Sequence, residues 1–212
     1  MNSPKYSGNI ILTGMPGSGK TNIGKKLAQE LGINFCDFDD DVLEKITLST
    51  AEEALGVLNL RKTGLIPENL SYKEVKKLLE LLGDEKFLEL EGFMGRNLNF
   101  ESQTVLSTSG SLPLRLDAME HLKNNGKVIY IDIPLELIIS RLQEMKTDRI
   151  IGMGKMTLEE ILQYRESYYF RSTDINFKVP TFDAKQGKTK EERESEKRIV
   201  FERFMEFYKA NI

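Results

Sequence analysis

The hydrophobic positions of this chain fall into short apolar runs separated by longer stretches of helical period. Asn9 to Thr13 is the first run and reads as a buried strand. A glycine-rich turn follows, then a periodic segment from Lys20 to Leu31 that Gly32 closes, as a C-terminal glycine does. Ile33 to Asp37 predicts a second strand, ending in the acidic run Asp37-Phe-Asp-Asp-Asp41. Strand, turn, helix and strand in this order open a βαβ unit.

From Val42 to Asn99 the period becomes helical. Thr50-Ala-Glu-Glu53 and Ser71-Tyr-Lys-Glu74 have the form of capping boxes, with Gly64 and Gly83 as stops. The stretch, about 42–99, is expected to be a helical insertion between sheet strands, the place of an acceptor-binding subdomain. Alternation then resumes with a strand at Gln103 to Thr108 and a helix from Pro113 to Lys123, its proline suited to the first turn. Lys127 to Ile133 is the plainest strand, and Leu135 to Met145 the next helix. Thr147 to Met156 reads as a glycine-containing loop before a helix capped by Thr157 and running to about Arg171. Ile175 to Val179 makes a fifth strand, Ala184 to Lys190 an exposed loop, and Glu191 to Tyr208 a final amphipathic helix. The expectation is a single α/β domain over residues 1–212, a five-stranded, mainly parallel sheet flanked by helices on both faces.

Composition narrows the partners. The 212 residues suit one compact domain and leave little room for two. A formal net charge of -3 lacks the basic excess of a general nucleic-acid binder. No stretch approaches the roughly 20 apolar residues of a membrane span. The single cysteine, Cys36, cannot form an internal disulfide, and the N-terminus lacks the apolar run of a signal peptide. A cytoplasmic, reducing compartment is therefore expected, with no nucleic acid or membrane as partner, and the chain is expected to be a monomer.

The chemistry begins at Gly14-Met-Pro-Gly-Ser-Gly-Lys-Thr21. In this spacing the glycines let the backbone curl so that successive N–H groups point inward at phosphate oxygens, and the helix that follows adds its positive end. Lys20 reaches the β- and γ-phosphates, and the Thr21 hydroxyl suits a magnesium ligand. Gly14, Pro16, Gly17, Ser18, Gly19, Lys20, Thr21 and Asn22 are the expected nucleotide contacts, for ATP with Mg2+. The strand before and helix after separate this motif from a chance glycine turn.

Beyond the loop the sequence resembles a shikimate kinase from about Asn9 to Val179, with an insertion within roughly 45–82. Phe35-Cys-Asp37-Phe-Asp39 matches the family's F-x-D-x-D pattern. By resemblance Asp37 supports the magnesium site, while Asp39 binds acceptor hydroxyls and is the candidate general base. The alternative for this pair is an acidic helix N-cap, which fits Asp40 and Asp41 better. Gly83-Asp-Glu-Lys-Phe87-Leu88-Glu-Leu-Glu91 stands for G-E-x-x-F-R-x-x-E, with Leu88 in place of the arginine that pairs with the acceptor carboxylate. A leucine cannot replace that bidentate contact. Glu91 stands where the family's glutamate orients substrate-binding arginines, or is an exposed helix glutamate. The three-glycine turn appears as Ser109-Gly110-Ser111, where Gly110 would let the acceptor approach the backbone.

Asp148-Arg149-Ile-Ile151 resembles the family's lid, about 146–156 here, and a lid arginine closing over the phosphates would neutralise charge during transfer. Arg165, in Arg165-Glu-Ser-Tyr-Tyr169, resembles the arginine that grips the acceptor carboxylate. Arg141 resembles the arginine that stacks on adenine. His121 and Cys36 have no chemical companions, the tyrosines around Tyr164 to Phe170 read as packing, and 185–198 as a solvated loop and helix start. The resemblance thus implies an ATP-dependent phosphotransferase acting on an alcohol group of a small, carboxylated acceptor, shikimate first, within aromatic amino acid biosynthesis. A different small acceptor, with Arg61 or Arg96 supplying the missing cation, is the first alternative. A nucleotide-binding regulatory module with weak catalysis is the second.

Overall fold

The computed structural model describes residues 6–56, 83–143, 150–152, 155–182 and 188–212. Its strands are β1 (Asn9–Thr13), β2 (Asn34–Asp37), β3 (Thr104–Ser107), β4 (Gly126–Asp132) and β5 (Ile175–Lys178). All pair in parallel, in the order β2-β3-β1-β4-β5. β1 is central because it pairs with both β3 and β4, and Ile10, Ile11 and Leu12 are all 0% exposed. A strand buried on both faces needs such an unbroken apolar run, since residues of opposite parity face opposite layers.

The described α-helices are α1 (Lys20–Leu31), α2 (Leu48–Leu55), α3 (Asp84–Arg96), α4 (Leu116–Asn125), α5 (Leu135–Gln143), α6 (Leu158–Ser172) and α7 (Lys190–Asn211). Ile10 and Leu12 pack with Leu27 of α1, Leu137 of α5, Tyr169 of α6 and Phe204 of α7. Ile11, Leu106 and Val128 face the other layer, with Ala51 of α2, Leu90 of α3 and Met119 of α4. The strands' C-terminal ends therefore share one edge, where ligand sites of α/β sheets gather.

Five boundaries differ from the sequence reading. The helical stretch expected from Val42 opens instead as a π-turn over Phe38–Val42 and a 3-10 turn over Leu43–Lys45. α2 is capped by Thr47, whose Oγ1 accepts from Thr50 N at 3.2 Å, so the box expected at Thr50 does not form. Ile46 and Thr47 are extended, which puts Thr50 inside the first turn already. Gly83, expected as a stop, precedes α3 at φ +94° and starts that helix. Pro113 lies in a 3-10 turn, Leu112–Leu114, and α4 begins only at Leu116. α7 begins at Lys190 because Thr189 and Glu192 form a capping box. Gly64 and the Ser71-to-Glu74 box lie outside the described residues.

Candidate active site

The loop after β1 bends through Gly14, Gly17 and Gly19 at φ +148°, +80° and +95°, angles that residues with a Cβ rarely adopt. Lys20 opens α1 and is buried, its Nζ donating to Gly14 O at 2.8 Å and Met15 O at 3.0 Å. Burial pulls its pKa down to about 8, against the opposing pull of Asp39 and Asp37. α1 has no side-chain cap and no acid in its first turn, so its N–H end is left for an anion. Ser18 Oγ is buried with no hydrogen-bond partner among the described residues. A hydroxyl without a partner inside this loop fits a bound phosphate.

The loop is tied to the end of β2. Thr21 donates to Asp37 Oδ2 at 2.8 Å, and its Oγ1 lies 3.3 Å from Ser107 Oγ. Asp37 Oδ1 accepts from Asp39 N at 3.1 Å and Asp40 N at 3.4 Å, so Asp37 itself is the cap of the π-turn, the position the sequence reading gave to Asp40 and Asp41. Capping and coupling to Thr21 use different oxygens and coexist. Among the described residues no group of three His, Cys, Asp or Glu side chains could hold a metal. Magnesium at Thr21 and Asp37 would thus lean on phosphate oxygens and water, its usual habit. Asp39, half-buried, acts electrostatically on both Lys20 and Glu91.

Beside the loop lies a cavity of about 460 Å³ lined by Gly17 to Ile23, by Arg141 of α5, and by Lys188 and Glu196. Arg141 Nη1 donates to Gly17 O at 2.9 Å. Lys188 and Glu196, read from sequence as part of a solvated stretch, pair at 2.5 Å on the cavity wall. Gly14 and Pro16 do not line it.

Pro16 instead faces the turn after β3. A Cβ on Gly110 would meet Pro16 Cδ at 2.5 Å, so a glycine is required where this turn packs on the phosphate loop. Its carbonyl accepts from Arg165 Nη1 at 3.0 Å and Tyr169 Oη at 2.7 Å, and Arg165 Nη2 donates to Ile151 O at 2.7 Å. Arg165 is 2% exposed, so it is not a helix-surface arginine. Glu91 is not an exposed helix glutamate either: it is 0% exposed and neither carboxyl oxygen has a hydrogen bond of normal geometry. Burial pushes its pKa up to about 7, with the nearby Ser111 and Ser109 hydroxyls acting in the opposite sense.

Arg96, the alternative cation, pairs with Asp117 of α4. Arg61 and Arg149 lie outside the described residues, and the described end of the expected lid meets α3 through Lys155 and Asp84 at 3.2 Å. Cys36 packs against the core, its thiol pushed up to about 11 by burial, and His121 Nε2 lies 2.9 Å from Leu98 O. Sequence reasoning missed Tyr169, taken as packing only. Its signal was its place one turn after Arg165, on the same helix face.

A parallel sheet in the order 2-3-1-4-5, with a phosphate loop leaving its central strand, defines a P-loop protein of the kinase kind. The family model "Shikimate kinase" matches residues 16–56 and 65–205, and the chain belongs to the shikimate kinase family. ATP and Mg2+ serve this family generally. Shikimate kinase of Bacteroides fragilis is 31% identical over 155 residues, covering 73% of this chain and 72% of that one. Human threonine synthase-like 1 is 40% identical over 163 residues, 76% of this chain. The chain spans only 18% of that relative's length. Shikimate kinase from Acinetobacter baumannii in complex with shikimate shares the fold, with a TM-score of 0.60, 24% identity and 92% of each chain covered. No described helix is long and apolar enough to cross a membrane.

Proposed function

We propose that the chain transfers the γ-phosphate of ATP to a hydroxyl of a small carboxylated metabolite, with shikimate the first acceptor. The observation that carries this reading is that Asp39 acts directly on the charge of Lys20, so the candidate base and the phosphate lysine share one site. ATP lays its phosphates on Gly14 to Thr21, with Arg141 and Asn22 beside the rest of the nucleotide. Bound Mg2+, held by Thr21 and Asp37, supplies charge neutralisation on the phosphates. Asp39 accepts the acceptor hydroxyl proton as its oxygen bonds to the γ-phosphorus, the bond from that phosphorus to the β–γ bridging oxygen breaks, and ADP leaves. Lys20, and Arg149 from the lid, stabilise the transferred charge. Arg165 anchors the acceptor carboxylate by turning from a backbone carbonyl, and Gly110 keeps the turn against the phosphate loop. The insertion, about 42–99, and the lid, about 146–156, belong to the same single domain in this reading.

ADP release on adding shikimate tests the claim, with Asp39→Asn expected to abolish transfer while ATP binding persists. Absence of turnover with every hydroxy acid tried would sink it. Leu88 and the serines flanking Gly110 favour a second reading, a kinase of another small acceptor such as a sugar acid or nucleoside. Preferential phosphorylation of shikimate in a mixed screen rules that out.

A further inference from the structure

We propose that Glu91 is a proton-linked positioning residue, neutral in the empty cleft, whose ionisation weakens the hold of Arg165 on an anionic acceptor. The inference rests on the acceptor end proposed above. Glu91 projects from α3 into a fully enclosed position, and both its oxygens lack a hydrogen-bond partner among the described residues. A carboxylate buried with only the Ser111 and Ser109 hydroxyls beside it is costly, and the neutral acid relieves most of that cost. Three residues earlier, Leu88 stands where a guanidinium would have compensated the charge.

The groups around Glu91 come from every neighbouring segment. Ser109 and Ser111 lie beside it on the turn after β3, Asp39 acts on it from the π-turn, and Arg165 and Tyr169 act from α6. Arg115, which packs on Gly92, is engaged by Asp117 at 3.6 Å. Arg165 is thus the cation that acts on Glu91, and its Nη atoms donate to Gly110 O and Ile151 O. Burial lifts the carboxyl to about 7, so its charge changes across the neutral range.

The direction follows by linkage. An ionised Glu91 offsets the Arg165 charge, whereas a neutral Glu91 leaves it for the acceptor. Binding of an anion therefore favours the protonated form, and KM for an anionic acceptor rises with pH above about 7 by up to about tenfold per unit. In the bound complex the anion keeps Glu91 protonated across this range, so its charge does not change beside Asp39 and kcat stays flatter than KM.

The test uses the full chain with shikimate as probe and the Glu91→Gln variant. The infrared carboxylic acid band of the wild type should titrate near neutrality and be missing from Glu91→Gln. That variant should lose the part of the KM slope between pH 6 and 8 that the wild type owes to Glu91, with kcat little changed. A merely structural Glu91 would lower kcat or folding yield and leave the slope. A band that titrates in the ordinary carboxylate range, or an unchanged slope in Glu91→Gln, overturns the proposal. If Glu91→Gln does not fold, the wild-type band with labelled glutamate decides by its midpoint. If shikimate is not turned over, the proposed acceptor fails, and the infrared midpoint still decides Glu91.

Discussion

The nucleotide end and the end proposed for the acceptor share one sheet edge, yet they differ in how their charges are satisfied. At the nucleotide end Lys20 has two carbonyls, Thr21 has Asp37, and Asp37 has two backbone donors. Ser18 Oγ and the uncapped N–H end of α1 are left for a ligand. At the proposed acceptor end the buried Glu91 carboxyl has no hydrogen bond of normal geometry among the described residues, and Arg165 is spent on backbone carbonyls. Backbone geometry fixes the first end, since any triphosphate presents the same oxygens. Side chains gathered around the Gly110 carbonyl define the second, so under the proposed function it can change with the acceptor.

Four experiments press on this contrast. Lys20→Met should cut phosphoryl transfer by about 1000-fold, on the scale of losing one preorganised charge, read as kcat by ADP release. Next in size, Glu91→Gln should alter stability in a pH-dependent way. The folded pKa, about 7, lies above the ordinary 4.5, so the folded protein holds the extra proton between these values. Wild-type stability from this group is complete below about 4.5 and lost as pH rises through about 7. Glu91→Gln should therefore unfold later than wild type at pH 8, by up to about 3 kcal/mol, and nearly with it at pH 4 in denaturant titrations.

Gly110→Ala should cost about 1–3 kcal/mol, because the stiff Pro16 ring must shift to admit the methyl group. It should also weaken ATP binding, measured by calorimetry, which would tie the two ends together. The smallest effect concerns Lys20 in the intact chain. Its folded pKa, lowered to about 8, means that the free protein sheds this proton above that pH. ATP affinity should then fall by up to about tenfold per pH unit beyond about 8. A flat profile to pH 9.5 would show that the loop does not need the lysine's charge.

Much of the fold was legible because its signals are local. The apolar run of β1 and the period of α1 gave the same bounds as the structure, Asn9–Thr13 and Lys20–Leu31. The phosphate loop was legible for the same reason, being contiguous in sequence. Glu91 was not, because its burial depends on Ser109 and Ser111 some twenty residues away closing over α3. The packing of Gly110 on Pro16 was not legible either, because Pro16 is distant in sequence and is brought there by the pairing of β1 with β3. Thr47 was hidden by Thr50, since two hydroxyls three residues apart compete for one cap and only the preceding turns decide.

The doubly held carbonyl of Gly110 has a meaning for descent as well as for chemistry. Arg165 and Tyr169 grip a backbone oxygen, which every amino acid supplies. The course of the turn is thus fastened in part by an atom that mutation leaves in place, beside the Ser109 hydroxyl that accepts from Leu112 N at 3.1 Å. Such an anchor keeps the turn in register with the phosphate loop whatever side chains its other face presents.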